Sequence, residues 1–270
     1  MKILLFISAF TFFLLSCQTG NLEVIADITT ELKEVSAVEQ VEGSQLFWVI
    51  EDAGNDNRIY GLDTNGTIAK SILISNAKNE DWEDLTSDNF GNIYIGDFGD
   101  NGRNRKTYTI YKISVNDLDK ESANAEKIEF KMPKDSKSMD FESFFSWQDS
   151  FYIFSKDDGD FKVLKVKNEA GKQNAEIIGE YNLDGNNNEI TSADISPDGK
   201  TILLLNNTKL WKLTDFKDEK FFKGKIKAIL FNHSSQKEGV CFDNKNNIIM
   251  TDENSGMGSN IYELKANPKG

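Results

Sequence analysis

The sequence predicts an all-β protein folded as a single five-bladed β-propeller, and three observations carry that reading. Short β-branched and aromatic runs alternate with Asn/Asp/Gly clusters along the chain, and helical periodicity is scarce. The runs recur in sets of four at a spacing near 50 residues, the period of blades rather than of a solenoid. One extra strand-like run near the N-terminus supplies the strand that the last set lacks.

Each set begins with a short segment holding an acid or a Ser: Glu34-Val-Ser-Ala-Val38, Asp81-Trp-Glu-Asp-Leu85, Asp140-Phe-Glu-Ser-Phe144, Ile190-Thr-Ser-Ala-Asp194 and Lys237-Glu-Gly-Val-Cys241. An apolar second run follows, such as Leu46-Phe-Trp-Val-Ile50 or Phe151-Tyr-Ile-Phe154, and ends in acids or Asn. Third runs are Arg58-Ile-Tyr-Gly-Leu62, Thr109-Ile-Tyr-Lys-Ile113, Lys162-Val-Leu-Lys-Val166, Lys209-Leu-Trp-Lys-Leu213 and Asn260-Ile-Tyr-Glu-Leu264. Fourth strands are available at 67–75, 126–132, 176–182 and 225–232. The fifth set stops at Leu264, and Leu22–Ile28 is expected to pair on its outside and close the ring. Turn chemistry such as Asp63-Thr-Asn-Gly66, Asp88-Asn-Phe-Gly91 and Ser196-Pro-Asp-Gly199 joins the runs. A six-bladed ring is the alternative; it would need a blade hidden in the widest spacing, where only an insert at 114–124 is visible.

The start of the chain reads as an address. Lys2 precedes a largely apolar run from Ile3 to Leu15, too short for a bilayer span of about 20 residues and suited to a signal-peptide core. It ends in Leu14-Leu15-Ser16-Cys17, which resembles the bacterial lipobox. The expectation is a lipoprotein signal peptide over 1–16, a lipidated (palmitate-type acylated) Cys17 with a short tether over 17–21, and a propeller over 22–270. Multiple acyl chains on one Cys hold a membrane stably. Gln18 after the Cys favours the outer membrane of a Gram-negative envelope. Cys241, the other of two cysteines, lies in an apolar strand pattern and is read as a buried, inert thiol.

Composition narrows the function classes. With 31 Lys+Arg against 44 Asp+Glu the net charge is −13, which argues against a nucleic-acid polymer as partner. The single His, His233, leaves almost nothing for a Ser-His-Asp triad or a multi-His zinc site, and there is no Gly-x-Ser-x-Gly elbow. A monomer is expected.

Blade topology brings strand-one starts and strand-two ends to one face. Ser36, Glu83, Glu142, Ser192 and Glu238 occupy the matching position in the five openings. Converging carboxylates repel unless protonated or bridged by a cation. Ca²⁺ suits such an oxygen ring better than Mg²⁺ or a soft metal; a water-filled polar channel with raised Glu pKa values is the alternative. Loops beginning at Asp97 and Asp184 start like EF-hands, but Tyr108 and Ile195 stand where the twelfth-position Glu belongs, so both read as turns.

Two resemblances follow from these motifs. Asp81-Trp-Glu-Asp-Leu85, Gly91-Asn-Ile-Tyr-Ile-Gly-Asp-Phe-Gly-Asp-Asn101, Ser192-Ala-Asp-Ile-Ser-Pro-Asp-Gly199 and Glu238-Gly-Val-Cys-Phe-Asp243 are similar to a group of secreted bacterial propellers of phytase-like and NHL/WD40-like type. That resemblance implies the fold and no firm activity. The Ser-Glu-Glu-Ser-Glu order of the five openings resembles the axial calcium site of five-bladed calcium-activated nucleotidases (apyrases), and implies Ca²⁺ ligation by those five residues. Two functions stand open. One is a calcium-stabilised binding scaffold in the cell envelope for a small-molecule, glycan or protein ligand on the acidic face. The other is a calcium-dependent phosphohydrolase, with Asp97 or Asp252 as base and Arg103 and Arg105 holding phosphate.

Overall fold

The computed structural model describes residues 19–157, 159–183, 189–253 and 258–265. The first strand, β1 (Leu22–Ile28), leads into a blade made of β2 (Val35–Glu39), β3 (Phe47–Glu51), β4 (Arg58–Leu62) and β5 (Ile68–Ile74). The second blade is β6 (Trp82–Ser87), β7 (Ile93–Asp97) and β8 (Tyr108–Ile113), then, after a two-residue strand β9 (Ser122–Ala123), β10 (Glu126–Lys131). The third is β11 (Phe141–Trp147), β12 (Ser150–Ser155) and β13 (Phe161–Lys167), with β14 (Gly171–Asn174) intervening before β15 (Glu176–Tyr181). The fourth is β16 (Ser192–Ile195), β17 (Thr201–Leu205), β18 (Lys209–Thr214) and β19 (Lys225–Leu230). The fifth is β20 (Lys237–Phe242), β21 (Ile248–Asp252) and β22 (Ser259–Leu264). These make five sheets, and β1 pairs antiparallel with β22 as the fourth strand of the last blade, so the ring has five blades and not six.

Burial grades outward from the axis, which explains the composition of each strand. Every residue of β2 and β3 is buried, whereas β19, with sequence Lys-Ile-Lys-Ala-Ile-Leu, exposes almost all of its length. Apolar runs therefore mark the inner strands, and apolar residues interleaved with polar ones the outer strands. The core is divided into layers between neighbouring blades. Trp48, Ile95 and Tyr111 meet between the first two, Phe98, Phe144 and Phe151 between the next two, and Phe145, Trp211 and Phe221 between the third and fourth. Edge-to-face ring pairs such as Phe98–Phe144 at 5.2 Å fill these layers.

The 114–124 insert is not a blade. It holds one 3₁₀ turn (Val115–Asp117), and its end, β9, adds in parallel to the outside of β5 in the preceding blade. In the same way β14 adds in parallel to the outside of β10. Each of the first two blades thus carries a fifth strand donated by the next.

Near the axis the blades are joined by side chains bonded to the backbone of the next blade. Ser36 Oγ donates to Trp82 O (3.0 Å), Ser143 Oγ to Ile190 O (3.4 Å) and Thr191 Oγ1 to Lys237 O (2.6 Å). Asp84 is fully buried and reaches past its neighbour: its oxygens accept from Leu85 N, Phe144 N, Ala193 N and Ser192 Oγ, tying the second blade to the third and fourth across the axis. Burial holds the Asp84 carboxyl well above the usual range despite these four donors. Between the fifth and first blades the approach is backbone to backbone. A Cβ on Gly239 would stand 2.6 Å from Val38 N, so only glycine fits there.

Candidate functional site

In four blades the innermost strand carries a bulge at one residue, because pairing slips between Val35 and Ala37, Trp82 and Asp84, Phe141 and Ser143, and Lys237 and Gly239. The bulged residues are Ser36, Glu83, Glu142 and Glu238. A bulge turns its side chain out of the pleat, and here it turns them toward the axial mouth. In the fourth blade Ser192 pairs with Leu205, as Ala37 does with Ile50 and Asp84 with Gly96, and Thr191 N bonds the Leu205 carbonyl. The fifth corner is therefore Thr191. Ser192, the residue expected there, lies one step deeper, its hydroxyl donating to Asp84 Oδ1 (2.9 Å) and accepting from Val240 N (3.0 Å). The Thr-Ser pair at 191–192 left two equally good hydroxyls, and only the pairing register separates them.

The three glutamates sense one another and share one cation. Lys156, at the end of β12, bonds Glu142 Oε1. Against the cost of burial, the charges of Glu142, Glu238 and Glu83 hold its ammonium above the ordinary lysine range. Burial raises all three acids. Glu83 goes well above its normal value, with Glu142 and Asp81 adding repulsion. Glu142 is pushed up to about 8, Lys156 opposing and Glu238 reinforcing. Glu238 is pushed up to about 7, the Gln236 side chain and Lys156 opposing and Glu253 reinforcing. Glu83 lies tight against the backbone of the second blade, where a Cβ on Gly99 would meet its Oε1 at 2.1 Å.

This arrangement does not by itself form a calcium cage. The Ser36 and Thr191 hydroxyls donate to carbonyls, Lys156 sits where the ion would neutralise the glutamates, and among the described residues no three acidic, His or Cys side chains group closely enough to hold a metal. Lys156 stands where the first and fifth blades carry Asp52 and Glu253 and the second and fourth carry Phe98 and Asn207.

The surrounding acids are tied into the wall. Asp97 Oδ1 accepts from Arg105 Nη1 (2.9 Å) and Asp81 N (3.2 Å), and Arg105 also reaches the Gly99 carbonyl and Glu80. Arg103 pairs with Asp157 at 2.8 Å. Asp252 accepts from Asn260 N (2.7 Å) and Tyr262 OH (2.6 Å). Next to Glu238, Lys237 occupies the position held by Val35, Trp82 and Phe141 in other blades and is fully buried. Its amine reaches Ser235 Oγ (2.9 Å) and His233 Nδ1 (3.3 Å), and burial pushes it down to about 8, with Asp252 opposing.

The opposite mouth has a different character. Asp88, Asp198 and Asp243 close the strand-one to strand-two turns, accepting from backbone N–H groups two to four residues on. Asp88 and Asp198 lie in turns expected from the sequence, and Asp243 adds a third of the same kind. Between them lies a cavity of about 530 Å³ with Glu39 and Asp194 at its inner end. Neither was singled out in the sequence, because nothing local distinguishes an axial acid from a rim acid.

Cys17 and the 1–16 segment lie outside the described residues, as do 184–188 of the second EF-hand-like loop. Cys241 is a buried free thiol whose pKa burial drives well above normal.

No protein-family model matches the sequence, and no curated protein matches it significantly. Solved structures do match in shape. A glucose dehydrogenase aligns with TM-score 0.52 and 7% identity over 91% of this chain and 99% of its own. A PQQ-bound aldose sugar dehydrogenase from Streptomyces coelicolor aligns with TM-score 0.50 and 9% identity over 91% and 98%. The likeness is one of fold. A virginiamycin B lyase from Staphylococcus aureus aligns at TM-score 0.46 and 15% identity over 86% of this chain and 66% of its own. At such identities the two dehydrogenase likenesses bear on the fold alone and transfer no chemistry.

Proposed function

We propose that the chain is a non-catalytic binding scaffold, tethered to a bacterial cell envelope through lipid on Cys17, with its acidic axial mouth turned to a small-molecule, glycan or protein ligand. One observation favours this over the phosphohydrolase. All four side chains available for phosphoryl chemistry are engaged by the propeller: Asp97 with Arg105, Asp252 with Asn260 and Tyr262, Arg103 with Asp157, and Arg105 also with Glu80. A general base must reach the attacking water, and a phosphate clamp needs charge that is not already neutralised. The test is phosphate release from nucleotides and from phytate by the full-length chain in detergent, with Ca²⁺ or with EDTA. No release above buffer is expected; calcium-dependent release abolished in Glu83→Gln would overturn the scaffold reading.

The tether has its own readout: an alkyne fatty acid fed to expressing cells should label the wild type and not Cys17→Ser. Calcium stabilisation of Glu83, Glu142 and Glu238 is a separate proposal, and it requires Lys156 to leave Glu142. Its signature would be a calcium-dependent rise in melting temperature that grows in Lys156→Met.

A further inference from the structure

The cavity at the second mouth has features that an acidic rim alone would not give. Its volume of about 530 Å³ falls in the range of small-molecule sites and far exceeds what one ion fills. Its lining includes six Asp or Glu and no Lys or Arg. Three of the six, Asp88, Asp198 and Asp243, are bonded within their own turns, and Asp198 also pairs with Lys200, so they set the field without offering free ligands. Glu39 and Asp194 are also hydrogen-bonded and differ in being buried. They are 4% and 7% exposed, come from the first and fourth blades, and form the inner end of the cavity. Asp194 accepts from Phe242 N (2.8 Å) and Ile195 N (2.7 Å), and Glu39 is bonded by the Ser87 side chain and the Gln40 backbone, with burial first and the Asp194 charge next raising it. Like charges buried near one another are eased by a cation.

The walls add an apolar component. Trp147 lines the cavity, and Phe90 at its rim is 83% exposed, the most exposed large apolar side chain among the described residues. An aromatic face and buried carboxyl groups together suit an organic ammonium, through cation–π and charge-assisted hydrogen bonds. They do not suit a bare metal ion, which needs more oxygens than two carboxyls supply and makes no use of rings.

We propose that this cavity binds a small linear organic amine, its primary ammonium seated between the carboxyl groups of Glu39 and Asp194 and its methylene chain against Trp147 and Phe90. This site lies at the mouth away from Lys156 and does not depend on what the acidic mouth there binds.

The experiment is titration of the full-length chain in detergent with putrescine and spermidine, followed calorimetrically and by tryptophan fluorescence, at physiological salt. Saturable one-site binding is expected for both, with a spectral change lost in Trp147→Phe. Glu39→Gln, which keeps the shape of the side chain, is expected to weaken binding at least about tenfold, the scale of one charge-assisted bond. Should that variant fail to fold, Phe90→Ala at the exposed rim serves instead, with several-fold weakening expected. Absence of saturable binding by the wild type overturns the proposal. So does an affinity unchanged in Glu39→Gln or, where that variant does not fold, in Phe90→Ala, or competition by Ca²⁺ or Mg²⁺ at one ion per chain, which would make the site a metal site.

Discussion

Lys156 and Lys237 are two lysines near one mouth with opposite environments, and their substitution separates the two effects. Among the described residues Lys156 is the cation that acts on all three ring glutamates. Lys156→Met should destabilise by about 1–2 kcal/mol, a figure discounted because the ammonium is partly solvated. The glutamates left behind would have still higher pKa values in the folded state. An acid so raised favours folding at low pH and loses that advantage as pH climbs, so the deficit should be larger at pH 8 than at pH 5 in denaturant titrations. Lys237 is a charge in an apolar position. Lys237→Met should stabilise by about 1 kcal/mol at pH 7, because Asp252 keeps its bonds to Asn260 and Tyr262. The gain should shrink above pH 8, where folded wild type sheds the proton that the unfolded chain keeps to about 10.4. Glu83, Glu142 and Glu238 were legible as a set because they recur at the blade period. Thr191, Asp84, Glu39 and Asp194 were not, since a one-residue register choice or an axial depth leaves no mark in the local sequence.

At the scale of the element, β1 carries the closure of the ring. Leu22 is fully buried against Leu210, Phe231 and Tyr262, and the strand pairs along β22 from Leu22 to Ile28. Leu22→Ala should cost about 2–4 kcal/mol by cavity formation, read as a shift in denaturation midpoint without a change in slope. The strand was readable in advance because the fifth set visibly ran short. The parallel additions β9 and β14 were not, since two to four small or polar residues without alternation carry no strand signal. The 114–124 insert marked a departure from the period, yet nothing in it announced that its end would cross to the preceding blade.

For the whole molecule the buried acids set a common pH response. Burial raises Glu142 to about 8 and Glu238, Asp194 and Asp52 to about 7, with like charges adding at each except Asp194. In the unfolded chain these groups titrate near 4. Between pH 5 and 8 the folded state therefore holds more protons than the unfolded one, and stability falls as pH rises through that window. Melting temperature should drop steadily from pH 5 to pH 8 in metal-free buffer; a flat or rising profile would show that these carboxyls are not raised in the folded state.

The donated strands leave the ring unequal around its circumference. In the second blade the edge amides of Glu126–Lys131 face the strand lent by the third blade, while Lys225–Leu230 of the fourth blade ends the sheet with Ile226 and Leu230 open to solvent. Deuterium should therefore enter the uncovered rims of the third, fourth and fifth blades before that of the second. If copies of this chain ever associate by strand addition, the seam would start at a bare rim such as Lys225–Leu230, where lysines stand as the guard against it.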